Sequence, residues 1–154
     1  MADTDLNAAT LTVTITEALA VGHDNGSTDS LDFAQTYTHT FGSIINTSKR
    51  IIKLANTNLT EVATFGSDTA DGAFVRADVR YIRVTNLDGS DVLQVGLDDE
   101  ASDAAYTELA ANSSIMYTGT KCEGGNGGTT LDNATALKVK GVANHQLEVF
   151  IASV

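Results

Sequence analysis

The chain has 154 residues, enough for one domain that buries about two-thirds of its unfolded surface. With no Trp, no Pro and only four Tyr and five Phe, its core must be aliphatic and its turns built from Gly, Asn and Asp. A net charge of −11 argues against nucleic acid and anionic membrane as partners, and the lone Cys122 excludes an internal disulfide and a multi-cysteine zinc site.

Met1 to Ala9 reads as a flexible arm ahead of a single domain over 10–154, without the basic-then-apolar pattern of a secretory signal. TLTVTIT, from Thr10, alternates Leu11, Val13 and Ile15 with threonines, which predicts a strand with one buried face. Gly22 to Asp32 is a polar loop. QTYTHTF then sets Tyr37, His39 and Phe41 on one face and threonines on the other.

Short β-branched runs follow, bounded by Asn, Asp or Gly: KRIIKLAN, LTEVATFG, VRYIRVTN, DVLQVGL, SSIMYTG, ALKVKGV and QLEVFIASV. The Ala-rich stretch Ser102 to Asn112 reads better as a loop entering a strand than as a short helix capped by Ser102. No stretch approaches the roughly 20 apolar residues that a membrane-crossing helix needs. The pattern predicts an all-β fold, an antiparallel β-sandwich or jelly-roll-like single domain.

IIKLANTNLTEVATFG, from Ile51, aligns without gaps onto YIRVTNLDGSDVLQVG, from Tyr81, and ALKVKGVANHQLEV is a looser third copy. Each reads as strand, Asn-containing turn, strand, and so predicts an antiparallel hairpin. Asn86-Leu87-Asp88-Gly89 supplies side chains tolerant of positive φ and suits a tight turn.

Catalytic signatures do not emerge. His23, His39 and His145 belong to no HExxH or Cys/His cluster, and CEGGNGGTT, from Cys122, lacks the lysine and following helix of a phosphate loop. The expectation is a protein that is not an enzyme and carries no catalytic, cofactor-binding or metal site. Asp88, Asp91, Asp98, Asp99, Glu100 and Asp103 read first as a solvated acidic edge and second as a calcium site.

Six of the nine basic residues, Lys49, Arg50, Lys53, Arg76, Arg80 and Arg83, fall between positions 49 and 83. A basic band on an acidic chain suits docking on an acidic protein surface or subunit pairing, while edge-strand protection explains the same residues without a partner.

From Val79 to Val154 the chain resembles virion proteins of tailed bacteriophages. The likeness lies in YIRVTNLDGSDVLQVGL, in YTELAANSSIMYTG, and in the closing pair ALKVKGVANHQLEVFIASV, with Ala111-Asn112 where relatives often carry Pro-Gly. The resemblance implies a small β-sandwich that decorates the capsid (a cement protein). It would be a homotrimer bound to the major capsid protein or other virion proteins, located in the virion and assembled in the host cytoplasm. Two alternatives remain open: a tail, neck or fibre component, and a carbohydrate-binding module using Tyr37, Phe41, Tyr81, Tyr106 and Tyr117.

Overall fold

The computed structural model describes residues 8–19, 33–67, 74–99, 106–118 and 134–154. The expected segments at 1–7, around Gly22 to Asp32 and from Cys122 to Thr130 lie outside them. The protein is all-β, and the chain divides into two compact units, Met1–Ile44 and Ile45–Val154. Ala9, expected to close the arm, opens the first strand.

The first unit contains a two-stranded ribbon. β1 (Ala9–Leu19) pairs antiparallel with β2 (Phe33–Ile44). Leu11, Val13 and Ile15 lie opposite Phe41, His39 and Tyr37, and Thr12, Thr14 and Thr16 lie opposite Thr40, Thr38 and Thr36. Period-two alternation thus gives one apolar face and one hydroxyl face.

The second unit is a sandwich of two sheets. One sheet is ordered β3 (Asn46–Lys53), β11 (Gln146–Ser153), β6 (Val79–Asn86), β9 (Ser114–Thr118). The other is ordered β5 (Phe74–Val75), β4 (Thr60–Gly66), β10 (Ala134–Lys140), β7 (Leu93–Asp99), β8 (Tyr106–Leu109). With the two-residue β5 set aside, the eight strands run 1-8-3-6 in one sheet and 2-7-4-5 in the other, with every neighbouring pair antiparallel. That is the double Greek key of a jelly roll. β6, β7, β10 and β11 sit centrally, and their Ile82, Val84, Leu93, Val95, Leu137 and Leu147 are buried in one core. Truncating any of these to Ala costs about 2–5 kcal/mol for Leu and Ile, because the vacated space collapses only in part. Tyr106–Leu109 forms a strand, in keeping with a loop-to-strand reading of Ser102 to Asn112; residues 102–105 lie outside the described set.

The three repeated segments are not hairpins. β3 and β4, β6 and β7, and β10 and β11 each belong to opposite sheets, so every copy is an arch that crosses the core. An arch packs its two arms side chain to side chain, whereas a hairpin joins them backbone to backbone. The alternation along each arm is the same in both.

These arches and the β8–β9 turn are laced together at one end of the sandwich by two matching turns. Ala111-Asn112 and Ala143-Asn144 place Asn112 (φ 56°) and Asn144 (φ 70°) in the left-handed region, and the turns close through Ser113 N–H to Ala110 O and His145 N–H to Val142 O, each 3.2 Å. This is the left-handed third residue that a type II turn demands, a role for which Asn substitutes for Gly. Each Asn amide then reaches a neighbouring arch, Asn112 N–H to Asp88 O at 3.1 Å and Asn144 N–H to Leu54 O at 2.8 Å. In return Asn86 N–H donates to Ser113 O and Leu54 N–H to His145 O, both 2.9 Å.

Residues 86–88, whose side chains tolerate positive φ, do not take it. Asp88 instead folds its own loop, its Oδ1 accepting from the amides of Ser90 (3.0 Å) and Asp91 (3.1 Å). Asn86 is fully buried, and its Nδ2 donates to the carbonyls of Asp91 (2.8 Å), Leu109 (3.1 Å) and Ala110 (3.1 Å). Its Oδ1 accepts from Asp88 N–H at 3.0 Å and lies 2.7 Å from Nε2 of His145, which is also fully buried. Since Oδ1 can only accept, Nε2 carries the hydrogen and donates. No partner meets Nδ1 among the described residues.

Gly141 backs that ring: a Cβ there would lie 2.8 Å from His145 Nδ1 and 3.1 Å from Leu54 Cδ1. We therefore expect Gly141→Ala to destabilise the fold by about 1–3 kcal/mol through overpacking. Asn86→Ala should cost about 3 kcal/mol or more, since it strips partners from several buried groups at once. Denaturant melts read both, and an unchanged midpoint in Asn86→Ala would show that the network does not hold the arches.

Candidate interaction surface

The outward face of the β3–β11–β6–β9 sheet follows from the registers. Lys49 and Arg83 flank Phe150 across β11, with Met116 next to Arg83 on β9; one step along, Ile51 and Thr85 flank Glu148. Phe150 packs edge-on against Tyr81, centroids 5.7 Å apart, and the Arg83 guanidinium lies 5.9 Å from the Phe150 ring centre. Glu148 binds Lys49 at 3.2 Å and Arg83 at 2.5 Å. Lys53 adds a third cation on the same face, opposite Gln146.

Burial pushes the Glu148 carboxyl up, but the hydrogen bonds and charges of Arg83 and Lys49 outweigh it and hold the group below the usual carboxylate range. Burial likewise pushes the Tyr81 hydroxyl up, against the lowering effect of Arg83. The face also leaves apolar surface in solvent, with Ile51 67% and Met116 37% exposed.

The six basic residues expected to act as one band do three different things. Lys49, Lys53 and Arg83 share this outward face. Arg50 faces inward from the edge strand, opposite Val149, and its Nη2 donates to the Val62 carbonyl of the other sheet at 2.6 Å. Val62 is the bulge residue of β4, skipped where Glu61 and Ala63 pair with Lys138 and Leu137. Arg50 thus satisfies the bulge and ties the two sheets at an open edge. Arg76 and Arg80 stand apart at a short 3-10 turn (Arg76–Asp78), where Arg80 Nη1 donates to Ala77 O at 2.7 Å.

Two of the acidic residues, Asp88 and Asp98, are drawn into structure. Hydrogen bonds from the Ser90 and Asp91 amides hold the Asp88 carboxyl below its usual range, and Asp98 pairs with Lys138, whose ammonium is raised by that bond. Among the described residues no group of three His, Cys, Asp or Glu is placed to hold a metal ion. Glu100 and Asp103 lie outside them.

The five aromatics suggested as a sugar platform lie on different elements. Tyr81 and Phe41 are buried, Tyr117 packs on the core, Tyr106 is on the five-stranded sheet, and Tyr37 is on the ribbon. His145 reads as a loop residue from its neighbours, yet it is sealed inside the arches beside Asn86. The only sequence signal for that pair is two polar residues beside apolar strand ends, which any turn shares.

No family model, curated protein or solved structure matches the chain.

The Glu148 cluster sets an acid response. A group held below its ordinary value, here 4.5, stabilises the fold fully above that value and loses its contribution as pH falls through the depressed one. Stability of the wild type should therefore fall more steeply than that of Glu148→Gln as pH is lowered below about 4.5. Parallel curves in denaturant titrations across that window would refute the assignment.

Proposed function

We propose that the chain is a capsid decoration (cement) protein of a tailed bacteriophage, docking on the head through the outward face of the β3–β11–β6–β9 sheet. The observation that carries this reading is the composition of that face. Three cations share it with one carboxylate, and Ile51 and Met116 are exposed on it, on a chain whose net charge is −11. Such a face is steered toward an acidic protein surface.

Two further points support it. The stretch that resembles phage virion proteins, 79–154, supplies β6 to β11, and with them both central strands of each sheet. Jelly rolls also recur in viral capsid and lectin domains, an analogy at the level of fold.

Size argues for assembly. Three strands of eight residues and one of five, about 4.8 Å apart, present roughly 450 Å². A standard interface takes about 800 Å² from each partner, so one copy would bind weakly. A homotrimer straddling neighbouring copies of the major capsid protein multiplies the contact and gains from effective concentration. The mechanism is mechanical: each bound trimer adds interfaces that must break before the shell opens.

Co-sedimentation with intact heads of the encoding phage tests the reading. Lys49→Glu with Lys53→Glu should lower occupancy at least ten-fold at physiological ionic strength while the far-UV spectrum stays unchanged, because Arg83 still neutralises Glu148. Wild-type occupancy should also fall with added salt. Equal occupancy of variant and wild type overturns the docking face, and attachment to isolated tails in place of heads turns the assignment to a tail, neck or fibre component.

A further inference from the structure

Edge strands with free N–H and C=O groups invite pairing with other chains, and proteins blunt them with charge, shortness or bulges. Three edges of the sandwich are blunted by shortness, since β5, β8 and β9 have two, four and five residues. The remaining edge is β3, with eight residues, paired with β11 on one side and exposed at every position except Ser48 and Ile52.

The register fixes which backbone groups of β3 are free. Antiparallel strands alternate between residue pairs that exchange both hydrogen bonds and pairs that exchange none. Leu54 N–H donates to His145 O at 2.9 Å. The next pair along is Lys53 with Gln146, whose carbonyl is taken on the β6 side by Leu87 N–H at 3.0 Å. Ile52, Arg50 and Ser48 therefore bond to β11, while Lys53, Ile51, Lys49 and Thr47 turn their N–H and C=O groups to the open edge.

Charge protects this edge only in part. Arg50 turns its guanidinium to the Val62 carbonyl of the other sheet. Between Lys49 and Lys53 stands Ile51, which at 67% is the most exposed large apolar side chain among the described residues. Period two puts these three on one face, so β3 offers cation, apolar group and cation along one side and free backbone along its edge.

We propose that β3 is a strand acceptor, to which an extended segment of the partner is added as a fifth strand of the sheet. That segment carries an acidic, an apolar and a second acidic residue at alternate positions. Directly opposed side chains on one face lie about 5 Å apart, so its acids meet Lys49 and Lys53 while its apolar residue covers Ile51. Backbone bonds give such a complex its affinity and the alternate side chains its specificity. Charge selects this occupant over a second copy of β3, which, paired antiparallel about Ile51, would set Lys49 against Lys53.

The inference rests on the reading of this sheet as the docking surface and names what the surface recognises. The test needs no heads: the full chain, isotope-labelled, is titrated with a capped synthetic peptide in which Thr alternates with Asp, Val and Asp. At millimolar peptide the amides of Thr47, Lys49, Ile51 and Lys53 should gain exchange protection, which Ser48, Arg50 and Ile52 have without it. The same peptide with Lys for both Asp should bind at least ten-fold more weakly. Ile51→Pro removes an N–H that the fold does not use, a change edge strands tolerate, and should weaken binding of the acidic peptide at least ten-fold. Thr47→Pro is a second variant of the same kind, and protection of β6, β10 and β11 reports that the sandwich is folded in each.

Unprotected open-edge amides overturn the acceptor edge, as does undiminished binding by the folded proline variants. Equal binding of the lysine peptide overturns the acidic segment. A wild type that takes the acidic peptide yet does not sediment with heads sinks the decoration reading and leaves the acceptor edge standing.

Discussion

The sandwich depends on one buried amide. Asn86 ends β6 at the place where three arches and a turn must meet, and each of these brings backbone groups that the sheets cannot pair. Its Nδ2 satisfies three carbonyls from two segments, and its Oδ1 takes an amide from its own loop and the His145 ring from another. An apolar residue of similar size would fill the space and leave those groups buried without partners, at a cost of about 1–3 kcal/mol for each. A charged one would add a desolvation penalty that nothing nearby offsets. The amide is the smallest group that both donates and accepts in the directions required. The Ala-Asn turns at 111–112 and 143–144 extend the same solution to the backbone, turning their own N–H groups toward neighbouring arches.

Much of this architecture is legible in the residues, because strand alternation is a local property. VRYIRVTN maps onto β6 at both ends, and the Thr-rich runs map onto β1 and β2 with the faces as read. What alternation cannot encode is the partner. A strand that enters an arch and one that enters a hairpin both show one apolar face, so the three repeated segments look like hairpins until the opposite sheet is in view. The bulge at Val62 is equally silent, since it adds a residue without breaking the apolar run. Sealed polar residues are the hardest to read. Asn86 and His145 have the local context of exposed turn residues, and only the convergence of distant loops buries them.

The basic residues show how far one physical argument reaches. Lys49, Lys53 and Arg83 converge on a sheet face although 30 residues separate Lys53 from Arg83, because β3 and β6 both flank β11. Arg50 lies between two of them in sequence and does different work, since adjacent residues on a strand point to opposite faces. Its guanidinium closes an open edge of the sandwich by holding a carbonyl of the other sheet. Charge reversal there would damage the fold and obscure any effect on docking, so the interaction surface is properly probed at Lys49 and Lys53.

The sheet order also has a kinetic side. β11 lies between β3 and β6, so the four-stranded sheet closes only after the chain through Ser153 has been made, and its pairing with β3 spans about a hundred residues. Contacts of such long sequence separation form slowly, because the intervening loop must be ordered before any pairing compensates for it. The β1–β2 ribbon is local and is synthesised first, and hairpins of this kind form within microseconds. The ribbon is thus complete while the sandwich is still unfinished. Folding begins there and ends only when β11 takes its place between β3 and β6.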